Sequence, residues 1–188
     1  TVKKGKDGSS VLTKGVIMSL ELPDEIDLID SIMGKKPDFD ELPMKILAEI
    51  DESVETDYTD IMNPGVPLFS EKMKLALDEN HIENIDYYPV QIVDSQTKDV
   101  LAHYWLAIVK DIVSCIDIQN SELKEALNGR TVITKFSIDH NKASAFNLFR
   151  FHHIPGLIII NEQLKETLSN INFNGVSFKH ISEYNRKI

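Results

Sequence analysis

One cysteine, Cys115, and six histidines bound the nucleophilic and metal chemistry open to this 188-residue sequence. Cys115 with His103 could form a thiol and base pair, in which the imidazole takes the thiol proton and frees a nucleophile. Cys115 lies in the apolar run "IVSCIDI", however, and a cysteine in such a run is far more often a small buried hydrophobe. His152 and His153 are adjacent and so face opposite sides of a strand. With His140 in a nearby turn, they are expected to be surface histidines rather than metal ligands. A lone thiol can neither close an internal disulfide nor supply the several sulfurs of a thiolate zinc site. Asp/Glu pairs are plentiful between residues 21 and 60, but no aromatic platform or glycine-bordered pocket accompanies them, so a glycosidase pair is not expected. There is no G-x-S-x-G, Walker loop, G-x-G-x-x-G, H-E-x-x-H or EF-hand loop. The expectation is a protein without catalytic residues, metal or cofactor.

The elements around these residues follow from period and punctuation. "TVKKGKDGSS" is polar and rich in Gly, Ser and Lys, which suits a mobile arm over residues 1–10. "VLTKGVIMSLEL" suits a strand or strand pair. "DEIDLIDSIMG" places Ile26, Ile29 and Met33 at helical spacing, with Asp24 as cap and Gly34 as stop, so a short N-terminal helix is expected. "PMKILAEID" suits a further strand. Two stretches then match without a gap at an offset of 91 residues: "PLFSEKMKLALDENHIENIDYYPV" (67–90) and "IIINEQLKETLSNINFNGVSFKHI" (158–181). Each has the outline strand, capped helix, strand. Ser70 and Asn161 are good helix N-caps, and Glu71 and Glu162 follow where a negative charge suits the helix dipole. Met73, Ala76 and Leu77 correspond to Leu164, Thr167 and Leu168 on one buried face.

Between the units, alternating runs suggest strands at "IDYYPVQIV", "VLAHYWLAIV", "IVSCIDI", "RTVITKFSI" and "AFNLFRF", arranged as a meander. Pro89 belongs at an edge or bulge, since it cannot donate to a ladder. Tyr104 and Trp105 point to opposite faces, so only one need be core. The fold class expected is α+β, mainly antiparallel sheet, with the two strand-helix-strand units at the ends of one sheet system. Residues 11–188 are expected to form a single domain, with an acidic part at 21–60 and a repeat-bearing part at 67–188. A chain of this length buries roughly 70% of its unfolded surface, enough for one sizeable core or two small halves.

Net charge is −10, and it is localised. Residues 21–60 hold 14 Asp and Glu against three Lys, a local charge of −11, so the remainder is near neutral. Such a block repels phosphate backbones and argues against nucleic acid as a partner. It could steer a basic protein instead, or serve only as a solvated face. No apolar run is long enough to span a membrane and these residues show no charged-then-apolar leader pattern, so a chain that neither spans a membrane nor bears a signal, with a cytoplasmic location, is expected.

The segments "PLFSEKMKLAL", "NIDYYPVQI", "YWLAIVKDIVSCIDIQNSE", "AFNLFRF", "GLIIINEQLKETL" and "FNGVSFKHI", in that order, resemble the Imm-eleven family of bacterial immunity proteins, formerly a domain of unknown function. The likeness runs from about residue 45 to the C-terminus. It implies a protein of a polymorphic toxin system that binds and silences a cognate toxin without catalysis. The acidic block makes a basic toxin the better fit. It also nominates Asp24, Glu25, Asp27, Asp51, Glu52, Glu55, Asp57 and Asp60 as the contact surface, and homo-oligomers are compatible with the sequence. Arg150 shares a strand face with Phe146 and Leu148, and a partly buried arginine needs a carboxylate or several carbonyls. Asp117 or another acid is expected to pair with it, a structural role for both. The alternative function is a small-molecule-sensing or regulatory module, which would hold an apolar pocket between the two units.

Overall fold

The structure, a computed structural model, describes residues 3–4, 10–11, 17–21, 34–35, 42–50, 58–63, 66–125 and 131–184. The expected N-terminal helix over 24–33 lies outside the described residues. Gly34, its expected stop, has φ +75, the left-handed region that glycine tolerates best. The protein is α+β and mostly sheet. Among the described residues seven strand pairings are antiparallel and two are parallel. The chain groups into two compact units, Thr1–Lys110 with Asn170–Val176, and Asp111–Ser169 with Ser177–Ile188.

The first unit begins with β1 (Lys3–Lys4) and β2 (Ser10–Val11), a short antiparallel ribbon. Next come β3 (Ile17–Glu21), β4 (Met44–Ile50), β5 (Ile61–Met62), β6 (Leu68–Phe69), helix α1 (Glu71–Glu79), β7 (Ile85–Asp94) and β8 (Val100–Val109). Six of these strands form one sheet in the order β3-β4-β7-β8-β6-β5, with β4 and β7 parallel. Period-two burial explains its core. Met44, Val90 and Tyr104 lie in one row across three strands, as register pairs Met44 with Val90 and Val90 with Tyr104. Ile46 and Ile92 make the next row, and Leu106 faces Leu68. These side chains are buried together with Ala48, Met62, Val66 and Ile108.

Tyr104 is therefore core, whereas Trp105 points to the opposite face and is half-buried. Helix α1 lies against β8 and β6, burying Met73, Ala76 and Leu77. Pro89 pairs in register with Trp105 on β8 and sits one position before β4 begins to pair with β7 at Val90. The turn from β7 to β8 is closed by the Asp94 carboxylate, which accepts from Gln96 N at 2.6 Å and Thr97 N at 3.1 Å.

In the second unit, β9 (Ile112–Val113), β10 (Ile116–Glu125), β11 (Thr131–Ile138), the single-turn α2 (His140–Ala143), β12 (Leu148–Phe151), β13 (Ile154–Ile160) and α3 (Glu162–Ser169) follow in turn. β10 and β11 form a two-stranded ribbon, and β13-β12-β9 a three-stranded sheet with β9 parallel to β12. Its core gathers Val113, Cys115, Ile116, Phe136, Phe149 and Phe151. Phe136 stacks on Phe151 at 4.6 Å between ring centroids, and Tyr184 meets Phe136 edge-on at 5.0 Å. Instead of one meander, the strands after β6 form three hairpins, β7–β8, β10–β11 and β12–β13.

The second repeat departs from its expected outline. β13 and α3 supply a strand and a helix, but no strand forms over 176–180, and Ile181–Glu183 is a 3-10 turn. The cause lies just upstream. β7 closes the first repeat by pairing with both β4 and β8. In the second, Asn174 commits its backbone N–H and carbonyl to Asp60, and Gly175 turns out of the extended region at φ +70.

Candidate functional site

Three polar arrangements stand out, two of them built on residues the sequence singles out. The first is built on Ser70. Its hydroxyl caps α1 by accepting from Met73 N at 3.1 Å and itself donates to Asp60 Oδ1 at 2.5 Å. Asp60 is 8% exposed, and both its carboxylate oxygens are engaged, since Asn174 N donates to Oδ2 at 2.7 Å. The backbones complete the grip: Asp60 N donates to Asn174 O at 2.9 Å, and Ser70 N to Asp60 O at 3.0 Å. Asn174 Nδ2 donates to Tyr58 O, Lys72 Nζ donates to Asn172 O, and the Lys72 ammonium stands 5.3 Å from the Phe173 ring centre. Segment 170–176 is thus strapped onto the first unit. Asp60, expected among the partner-contact residues, is buried with its carboxylate held by Ser70 and Asn174. Asp24, Glu25, Asp27, Asp51, Glu52, Glu55 and Asp57 lie outside the described residues.

The second arrangement was not legible in the sequence. Lys74 on α1 lies 5.2 Å from the centre of the Tyr87 ring and 5.3 Å from that of Trp105, with the two rings edge-to-face at 6.5 Å. Asp78 holds the ammonium at 2.6 Å, and Trp105 Nε1 donates to Glu71 Oε2 at 2.5 Å. Burial, and then the Asp78 charge, push the Tyr87 phenol well above its ordinary range, so it stays protonated. The only signal for this cluster was Lys74 at the i+3 position from Glu71, a spacing that its counterparts Glu162 and Lys165 share.

The third concerns Arg150 and Asp117, which the structure does not pair. The Asp117 carboxylate closes its own turn, accepting from Asn120 Nδ2 at 2.6 Å, Gln119 N at 3.1 Å and Asn120 N at 3.3 Å. The Asn120 side chain foremost, then backbone donors, holds its pKa below the usual carboxylate value. Ser121 anchors the same bulge, donating to Asp117 O and accepting from Ser137 N at 3.0 Å. Arg150 is 1% exposed, and Nη1 donates to Pro155 O at 3.1 Å. Asn161 caps α3 as expected, accepting from Leu164 N at 2.8 Å, and its Nδ2 donates to Asn147 Oδ1 at 2.7 Å.

Cys115 is fully buried and burial raises its thiol pKa, so the nucleophilic thiolate is disfavoured. His152 and His153 are exposed at the β12–β13 turn with ring centres 5.2 Å apart, and His153 is shifted down by burial and by its neighbour's charge. Among the described residues no group of three or more His, Cys, Asp or Glu could hold a metal ion, and no helix is long and apolar enough to cross a membrane.

The family model described as "Immunity protein family (Imm11)" matches residues 16–183, and the chain belongs to that family. Among curated proteins none matches it.

Proposed function

We propose that this protein neutralises a cognate bacterial toxin by binding it in the cytoplasm, without catalysing a reaction of its own. The observation that carries this reading is the match to the immunity family over residues 16–183, nearly the whole chain. Recognition of this kind needs an interface of about 1,600 Å² with a few buried anchors, and no reactive constellation. The acidic stretch is the favoured contact surface, through Asp24, Glu25, Asp27, Asp51, Glu52, Glu55 and Asp57. Asp60 is left out because its carboxylate is already held by Ser70 and Asn174. A toxin with a basic face around its active site fits this charge, because complementary potentials raise the encounter rate in a salt-dependent way.

The test is association kinetics against the C-terminal region of the protein encoded beside this gene. A stable complex is expected. Reversing four charges together (D24K, E25K, D51K, E52K) is expected to slow association roughly 10-fold or more and to flatten its dependence on salt. Absence of a complex would remove the toxin reading. A complex whose rate and salt slope survive the reversal would move the contact away from the acidic stretch.

A further inference from the structure

Arg150 occupies the middle strand of the β13-β12-β9 sheet, between Ile112 on β9 and Ile158 on β13. Its neighbours in register offer no charge. Nη1 is satisfied by Pro155 O, but Nε and Nη2 are buried and have no hydrogen-bond partner. These two nitrogens share one edge of the planar guanidinium. Their N–H bonds run side by side, forming the fork that a carboxylate fills with both oxygens. The bond from Nη1 to Pro155 O holds that fork in one orientation. Burial lowers the Arg150 pKa, yet a guanidinium stays charged at neutral pH. The sheet therefore covers a positive charge and two unmet donors, an arrangement that is costly until something answers it.

We propose that the Nε and Nη2 edge of Arg150 binds a small free carboxylate such as formate or acetate. The ligand must be small because the residue is only 1% exposed. Its way in is the stretch just after the β12–β13 turn. Register runs from Arg150 with Ile158 directly to Phe151 with Ile154, so Pro155, Gly156 and Leu157 bulge out unpaired. A Cβ placed on Gly156 would meet nothing within 4 Å. That stretch carries the carbonyl that orients the fork.

The test is thermal melting of the full chain in formate against chloride at matched ionic strength, for wild type, Arg150→Lys and Arg150→Met. Methionine fills similar space without a charge, so that variant is expected to fold. Wild-type Tm should rise by roughly 3 to 6 °C for each tenfold increase in formate above its dissociation constant. Arg150→Met should show no such rise, and Arg150→Lys a smaller one, because an ammonium has no fork. The Arg150 Nε–H resonance should shift along the same titration. A wild type indifferent to formate, or a rise equal in Arg150→Met, would overturn the proposal and leave water at the fork.

Discussion

Asp60 and Asn174 hold each other in both directions across 114 positions of sequence: Asn174 N donates to the Asp60 carboxylate, and Asp60 N donates to the Asn174 carbonyl. The first unit is therefore closed by residues made only after β9 to α3 have been synthesised. Asp60→Ala removes the acceptor for Asn174 N and for the Ser70 hydroxyl together, leaving partly buried donors unmet. A loss of about 1 to 3 kcal/mol is expected, measured as a lower urea midpoint, with faster hydrogen exchange at Asn174 N. Unchanged exchange there would contradict the strap.

Gly175 tests the same strap by sterics. An added Cβ would lie 2.4 Å from Thr59 Cγ2, and the backbone is at φ +70. Gly175→Ala is expected to cost about 1 to 3 kcal/mol through strain and displacement of the strap. Gly156→Ala, where nothing lies within 4 Å, should cost less. Chemical denaturation of the two variants side by side checks the order.

The Lys74 cluster predicts a coupling. Lys74→Ala and Trp105→Phe should each destabilise, and the double-mutant cycle should show an interaction of about 0.5 to 1 kcal/mol, the range for a cation over an aromatic face at a partly exposed site. Trp105 is the only tryptophan, so its fluorescence should also shift in Lys74→Ala. Additive losses would mean the ammonium and the indole are merely adjacent.

Asp117 predicts an acid limb. Its folded pKa is depressed below the model-peptide value of 3.8, so its contribution is present above that value and lost as pH falls through the folded pKa. Asp117→Asn should lower stability at neutral pH and flatten its fall below about pH 3.8, so that variant and wild type converge in acid. Denaturation midpoints across pH 2 to 6 would show it. An unchanged acid limb would remove Asp117 from the account.

Cys115 should resist alkylation in the native protein and react on unfolding, because it is fully buried with a raised thiol pKa. Labelling with iodoacetamide across a urea series would follow the unfolding curve. Rapid native labelling would contradict its place in the core.

Local physics was the legible part. The caps at Ser70 and Asn161 and the buried Tyr104 against the half-buried Trp105 follow from rules spanning a few residues. What escaped depends on distant partners. A charge run does not say which acid is covered, and Asp60 is covered because Ser70 and Asn174 reach it from elsewhere in the chain. The repeat correctly marked the helices at 71–79 and 162–169. Its second copy loses the closing strand where Asn174 binds Asp60 and Gly175 leaves the extended region. Arg150 was legible as a buried cation in need of an acid. Asp117 could not be that acid, since the Asx turn it makes with Gln119 and Asn120 is nearer and satisfies it first.

Growth rescue tests the central claim most directly. The C-terminal region of the protein encoded beside this gene is expressed in bacteria with and without this chain, and survivors are counted. Toxicity relieved only when the chain is present is the predicted result. A neighbour that is harmless, or that kills equally with the chain present, would contradict the immunity reading.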